Sequence, residues 1–230
     1  MEWYWIVAIV VGSLAILLAL SNIFYKQFFK RFYDVVLSGI ALIVLSPLLL
    51  ILTIVGAIAM GGNPFFVQPR PGRIDPKTGK ERIFSLVKFR TMSNKKDSDG
   101  NLLPDSDRLN AYGRFLRRTS LDELLELFSI IIGDMSIIGP RPLLVQYLDR
   151  YNEEQRHRHD VRPGFTGYAQ AHGRNSLSWE DKFAMDVWYT KNISLKVDVE
   201  IILATVKTVL KREGISSETS ATMEEFMGIH

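Results

Sequence analysis

Residues 32–60 read FYDVVLSGIALIVLSPLLLILTIVGAIAM, and the path this stretch takes governs how the rest of the chain is arranged. As one α-helix it would be about 44 Å long, at ~1.5 Å per residue, against a hydrocarbon core of ~30 Å. Ser46-Pro47 stands near its middle. Proline removes one helical hydrogen bond and crowds the preceding turn, so the spacing predicts a break there. Backbone groups freed at a break need partners, and the Ser46 hydroxyl is a candidate. Both flanks are basic, with Lys26, Lys30 and Arg31 before the stretch and Arg70, Arg73 and Lys77 after it. Cytoplasmic flanks carry excess Lys and Arg. Excess length, a central breaker and two basic flanks together read as a re-entrant helix-break-helix that dips into one leaflet and returns. The alternative is a single tilted, kinked span, which would put the rest of the chain on the far side.

Toward the N-terminus, residues 3–20 carry no charge. They would give roughly 27 Å of helix, close to the width of a bilayer core. Trp3, Tyr4 and Trp5 at one end, and Phe24 and Tyr25 at the other, suit the two aromatic belts of a spanning helix. Ala19-Leu20-Ser21 resembles a cleavage site, but Glu2 stands where a signal peptide has its basic region, so a retained anchor is expected. The chain therefore divides into a transmembrane helix at 1–25, a re-entrant helix at 26–61, a more polar domain at 62–213 and a polar, loosely held tail at 214–230.

The 230 residues suffice for one domain plus a membrane anchor. A net charge of +3 argues against a nucleic-acid partner, which calls for a strong basic stripe. The absence of cysteine excludes disulfides, thiolate metal sites and a cysteine nucleophile. Residues 65–67 and 83–87 read as two short strands joined by a loop rich in proline and glycine, a β-hairpin. Residues 95–107 read as an exposed loop, and the pattern from Leu109 onward is mostly helical. His157 and His159 have a metal-like spacing, but such pairs on surface helices are usually solvated, and no metal is assigned to them.

A helix is expected from Ser120, with Leu121, Leu124, Leu125, Phe128, Ile131 and Ile132 on one apolar face and Gly133 as its stop. Ser120 and Glu123 match a capping box. Asp122 would then complement the helix dipole, so a wholly structural account of both acids exists. The residues beyond this helix point elsewhere. Gly133-Asp134-Met135-Ser136-Ile137-Ile138-Gly139-Pro140-Arg141-Pro142 holds Arg141 between two prolines, and an arginine fork matches phosphate oxygens. Arg162-Pro163-Gly164-Phe165-Thr166-Gly167 and Gly173-Arg174-Asn175 form a second basic, glycine-bearing stretch, with acids at Asp186 and Asp198. Paired carboxylates, rigid arginines and a bilayer-dipping helix suggest chemistry on a diphosphate at a lipid surface.

At these residues the chain resembles the monotopic phosphoglycosyl transferases of the bacterial sugar transferase family, most closely the small members that begin glycoconjugate assembly. The likeness runs through residues 30–212. It rests on Lys30-Arg31 with Asp34, Ser46-Pro47, Arg70-Pro71-Gly72, Lys88-Phe89-Arg90-Thr91-Met92, Ser120-Leu121-Asp122-Glu123-Leu124, the 133–142 run and His157-Arg158-His159-Asp160-Val161-Arg162-Pro163-Gly164. Leu125 and His172 depart from the usual proline and asparagine. The resemblance implies a mainly α fold with a small β-hairpin (α+β), a re-entrant membrane helix and interfacial amphipathic helices, to which this chain adds the N-terminal helix. It implies Mg²⁺-dependent transfer of a sugar-1-phosphate from a UDP-sugar to polyprenol (undecaprenyl) phosphate. Asp122 would be the nucleophile, and Asp122 and Glu123 the dyad that also holds the metal. Arg141 would bind phosphate, with Arg90, Arg174, Asp186 and Asp198 as further substrate-binding residues. The expected place is the cytoplasmic face of a bacterial inner membrane, among membrane lipid, with downstream glycosyltransferases as partners for the product. A glycosyltransferase that releases UDP, and an inactive membrane scaffold of the same fold, are the alternatives.

Overall fold

The structure, a computed structural model, describes residues 3–173, 177–211 and 225–228. Helix α1 (Trp3–Ile23) follows the uncharged run and exposes Ile6, Val10 and Ile16. A π-helical turn, Tyr25–Phe29, joins it to α2 (Lys30–Met60) without a loop. Among the described residues, Tyr25–Met60 is the helix long and apolar enough to cross a membrane by length and composition.

The expected interruption at Ser46-Pro47 is not an end of this helix. The backbone stays helical from Lys30 to Met60 with Pro47 inside it. Pro47 has no N–H to offer the carbonyl four residues back, that of Ile43. The Ser46 hydroxyl donates to that same carbonyl at 2.7 Å, so the helix continues through a local repair. At its far end Gly61 takes φ 64, a left-handed conformation that glycine adopts without steric penalty.

One side of α2 is covered by the domain C-terminal to it. Leu42, Leu45, Leu49 and Leu52 pack on Phe89, Leu116 and Leu125, and Ala41, Leu42 and Leu45 also reach Phe84, Leu127 and Ile130. The other side leaves Ile40, Ile43, Leu50, Ile54 and Ile58 exposed. Strands β1 (Phe65–Ile74) and β2 (Glu81–Phe89) form the expected antiparallel hairpin, longer than the short strands read from the sequence, with Phe65 opposite Phe89 and Arg70 opposite Phe84. The region taken for an exposed loop ends in a short helix, α3 (Asp105–Arg108), followed by α4 (Ala111–Thr119).

The helix expected from Ser120 does not start there. Ser120 has φ 56, serves as the C-terminal cap of α4 and makes no side-chain capping bond. Leu121–Glu123 is a 3₁₀ turn, and α5 runs only from Glu126 to Ile132. The single apolar face divides accordingly. Leu121, Leu124 and Leu125 pack under α2, while Phe128 and Ile132 are exposed.

A second sheet was not legible. Strands β3 (Ser136–Ile138) and β4 (Gly164–Thr166) pair in parallel, with Ser136 beside Gly164 and Ile138 beside Thr166. Around them pack α6 (Glu153–Arg156), α7 (Tyr168–His172), α8 (Trp179–Lys191) and α9 (Leu195–Lys211). A third core cluster gathers Ile138, Ala171, Tyr189 and Ile201. Val199, Leu203 and Val206 of α9 remain exposed. Of the tail expected to be loose, Phe226 is only 2% exposed.

Candidate active site

Two adjacent acids stand on the 3₁₀ turn between α4 and α5. The turn forms because Ser120 reverses the chain in a left-handed conformation, which costs a non-glycine residue about 1–2 kcal/mol. Ser120 is the one non-glycine residue with positive φ among those described. The capping account of the two acids loses its physical basis here, because Glu123 turns away from the Ser120 backbone toward two cations. Lys88 of β2 donates to it at 2.8 Å, and Arg141 makes a short, two-nitrogen contact with both carboxylate oxygens. Lys88 also lies 2.8 Å from Glu126, whose residue is 2% exposed.

Among the described residues, no ion pair or side-chain hydrogen bond engages the Asp122 carboxylate. The two acids therefore titrate apart. Burial, and then the charge of Glu123, push Asp122 above the usual carboxylate range, with Lys88 opposing. Burial alone would raise Glu123 too, but Arg141 and Lys88 outweigh it and hold this carboxyl well below that range. Neighbouring carboxylates separated in this way are a signature of divided chemical roles.

Arg141 is fixed from behind. It leaves β3 between Pro140 and Pro142, Arg158 donates to its carbonyl at 2.7 Å, and Arg70 donates to the Pro142 carbonyl at 3.1 Å. Its own side chain is 41% exposed, against 18% for Glu123, so part of the guanidinium is open to solvent. The glycine-rich stretches read separately in the sequence are the two strands of the β3–β4 pair. A Cβ on Gly164 would strike the backbone of Gly139, so the two backbones approach more closely than side chains allow.

The other expected site residues lie elsewhere. Asp186 is 5% exposed and accepts from Arg158 at 2.7 and 3.1 Å, so it supports the Arg141 loop through Arg158 rather than meeting substrate. Burial raises Asp186, with Arg158 opposing. Asp198 is 2% exposed and binds Lys30 at 2.6 Å, Tyr25 at 2.7 Å and Tyr189 at 2.7 Å, which ties α9 to the start of α2. Both carboxylates are thus engaged by partners within the protein, where the sequence reading has them as substrate ligands. Arg90 is half-buried just past β2, two residues beyond Lys88, and its N–H donates to the Pro64 carbonyl at 2.7 Å. Arg174 lies outside the described residues. His159 is not solvated but buried, facing the Gly72 carbonyl at 3.2 Å, and burial with the nearby Arg158 lowers it to about 3.

Sequence reasoning passed over Lys88, Glu126, Arg70 and Arg158 as site residues. The first two carry a signal in retrospect. Lys88 interrupts an apolar strand between Val87 and Phe89, and Glu126 interrupts the run from Leu124 to Phe128.

No group of three or more metal-ligating side chains is present among the described residues. Mg²⁺, however, is commonly held by one or two carboxylates together with substrate phosphates. Asp122, without an ion-pair partner among the described residues and next to Glu123, fits that donor chemistry.

The bacterial sugar transferase model matches residues 25–212. The chain belongs to the bacterial sugar transferase family. It is 46% identical to the uncharacterized sugar transferase EpsL of Bacillus subtilis, over 86% of this chain and 96% of that protein. It is 35% identical to the undecaprenyl-phosphate galactose phosphotransferase of Salmonella typhimurium and 34% identical to a UDP-N-acetylgalactosamine-undecaprenyl-phosphate N-acetylgalactosaminephosphotransferase of Aeromonas hydrophila. Those matches cover 82% and 80% of this chain but 42% and 44% of the relatives, so the sugar transferase described here spans less than half the length of either. The matched region contains the site, from Arg70 to Asp186, and leaves out α1 and the described tail.

Proposed function

We propose that this sugar transferase moves a sugar-1-phosphate from a UDP-sugar to polyprenol phosphate, the first membrane step in assembling a glycan, O-antigen or capsule. The observation that carries the reading is the split pair. Asp122 makes no ion pair among the described residues, while Glu123, one residue on, binds two cations. In the first step an Asp122 carboxylate oxygen attacks the sugar-bearing phosphorus. A P–O bond forms, the P–O bond to the uridylate breaks, and UMP leaves with the electron pair. In the second step an oxygen of polyprenol phosphate attacks the same phosphorus and Asp122 departs as a free carboxylate. Two such displacements replace one difficult transfer. Arg141, held by Glu123 with part of its fork exposed, binds the diphosphate oxygens. Asp122 and Glu123 would hold Mg²⁺, which when bound neutralises phosphate charge and eases loss of the leaving group.

The lipid acceptor calls for a site at the bilayer surface. Both ends of α2 are held by one domain: Arg31 donates to the Ile130 and Ile131 carbonyls at 2.6 and 2.9 Å, and Asn110 donates to the Ala59 carbonyl at 2.9 Å. This supports a helix that dips into the cytoplasmic leaflet of a bacterial inner membrane and returns, with the catalytic domain in the cytoplasm. The relatives named for undecaprenyl phosphate support the acceptor.

With UDP-sugar and Mg²⁺ but no acceptor, wild-type protein should release about one equivalent of UMP and gain the mass of a sugar phosphate. Asp122→Asn should form no adduct, and its turnover should fall by more than about a thousand-fold. Release of UDP in place of UMP, or an adduct on Asp122→Asn, would overturn the mechanism.

A further inference from the structure

The described tail, residues 225–228, lies beyond the matched residues 25–212 and has no part in the chemistry above. Yet it is closely bound. The Phe226 ring sits among Tyr147, Tyr151, Trp179 and Phe183, with ring centroids 4.9 to 5.8 Å away. Its N–H donates to the Tyr147 hydroxyl at 3.3 Å, and Arg150 donates to its carbonyl. The Glu225 carboxylate accepts from Gln146 and from Arg150, each at 2.8 Å. The segment is therefore held at an acid, a ring and the main chain.

The same cage reaches the active-site loop. The Arg158 guanidinium lies over Tyr151 and Phe183, at 5.8 and 5.6 Å from their ring centroids, and donates to the Arg141 carbonyl at 2.7 Å. Leu143 and Leu144, directly after Pro142, pack on the cluster that Phe226 completes. Without Phe226 the cage would have an open side, and the two rings over Arg158 would lose a packing neighbour.

We infer that residues 225–227 are a latch, docked in cis, that closes the aromatic cage around Arg158 and thereby sets the position of Arg141. Phe226 is a positioning residue in this scheme, and the inference rests on the proposed role of Arg141 as the phosphate clamp. Docking and coupling can be tested separately. The chain has no cysteine, so Gln146→Cys with Glu225→Cys can be bridged by a short bismaleimide in the full chain. The expected product is an internal bridge on the monomer, weakened by Phe226→Ala. Bridged dimers, or no bridge, would overturn docking in cis.

For coupling, Phe226→Ala should raise KM for the UDP-sugar on the order of ten-fold, since small misplacements of binding groups are costly, with kcat less affected. Phe226→Leu should recover most of the loss. A peptide of residues 221–230 added to Phe226→Ala should lower KM again, and the same peptide with the Phe226→Ala change should not. An unchanged KM, or a lower melting temperature and active fraction at unchanged KM, would overturn the coupling. If wild-type protein transfers no phosphosugar from any UDP-sugar, the coupling falls with the proposed function, while the bridge still decides whether the tail docks.

Discussion

Asp122 and Glu123 are neighbours in the chain, yet they oppose each other in their effect on stability. The raised carboxyl of Asp122 holds its proton more tightly in the folded state than in the unfolded one, so its contribution declines as pH rises through its titration range. The depressed carboxyl of Glu123 works the other way: its contribution is present above its unfolded pKa and lost as pH falls through the folded value. At pH 7, Asp122→Asn should therefore melt higher than wild type, and Glu123→Gln lower. Removing one partner of a largely buried charge cluster typically costs about 3–5 kcal/mol, and Glu123→Gln should approach that range. Thermal melts of both variants at pH 7 test the signs. A capping role would lower both. Arg141→Lys retains the charge but not the two-nitrogen contact with Glu123, so kcat/KM should drop by about ten-fold or more while the fold survives.

Among the elements, the β3–β4 pair carries the site with very little backbone. Each strand is three residues long, and its worth lies in where it puts the loop after it. Gly139 N–H donates to the Thr166 carbonyl, and Gly164 N–H donates to the Pro140 carbonyl, both at 2.9 Å, so the residues on either side of the Pro140 turn are clamped. Gly164→Ala would force these backbones apart. It should destabilise by ~3 kcal/mol or more, the range of overpacked interiors, and remove phosphosugar transfer with it. A denaturant titration together with the UMP-release assay measures both effects. Helix α2 shows the opposite case. Pro47 deletes one hydrogen bond in a long helix, and Ser46 returns the lost partner to Ile43.

For the molecule as a whole, the charges that read as topological signals in the sequence also do structural work. Lys30 is paired with Asp198, and Arg31 caps the last carbonyls of α5, so the basic flank of α2 is built into the domain. If α2 returns to the side from which it enters, Gln27→Cys and Lys77→Cys, both at exposed positions, should be labelled from the same face of sealed inner-membrane vesicles. Labelling from opposite faces would place the two ends of α2 across the bilayer and remove the lipid-surface site from the proposal.

Part of this protein is settled by local pattern. The long apolar helix, the hairpin and the serine beside the proline were legible because hydrophobicity, turn residues and neighbouring hydrogen-bond donors act within a few positions of each other. The family motifs marked Asp122, Glu123 and Arg141 as one group. Which charges meet was left to the tertiary fold. Ser120 and Glu123 have the spacing of a capping box, but the Ser120 N–H is taken by the last carbonyls of α4, and Glu123 is drawn to Arg141 and Lys88, both distant in sequence, so the turn forms in place of the cap. Asp186 and Asp198 looked like ligands because an acid in a polar stretch has no visible partner; folding supplied Arg158, Lys30, Tyr25 and Tyr189. Phe226 stood in a tail of polar composition, and nothing near it in sequence announces the cage of four aromatic rings that buries it. A buried charge or ring is settled by partners brought in over long range, and their identity is a property of the fold rather than of any local stretch.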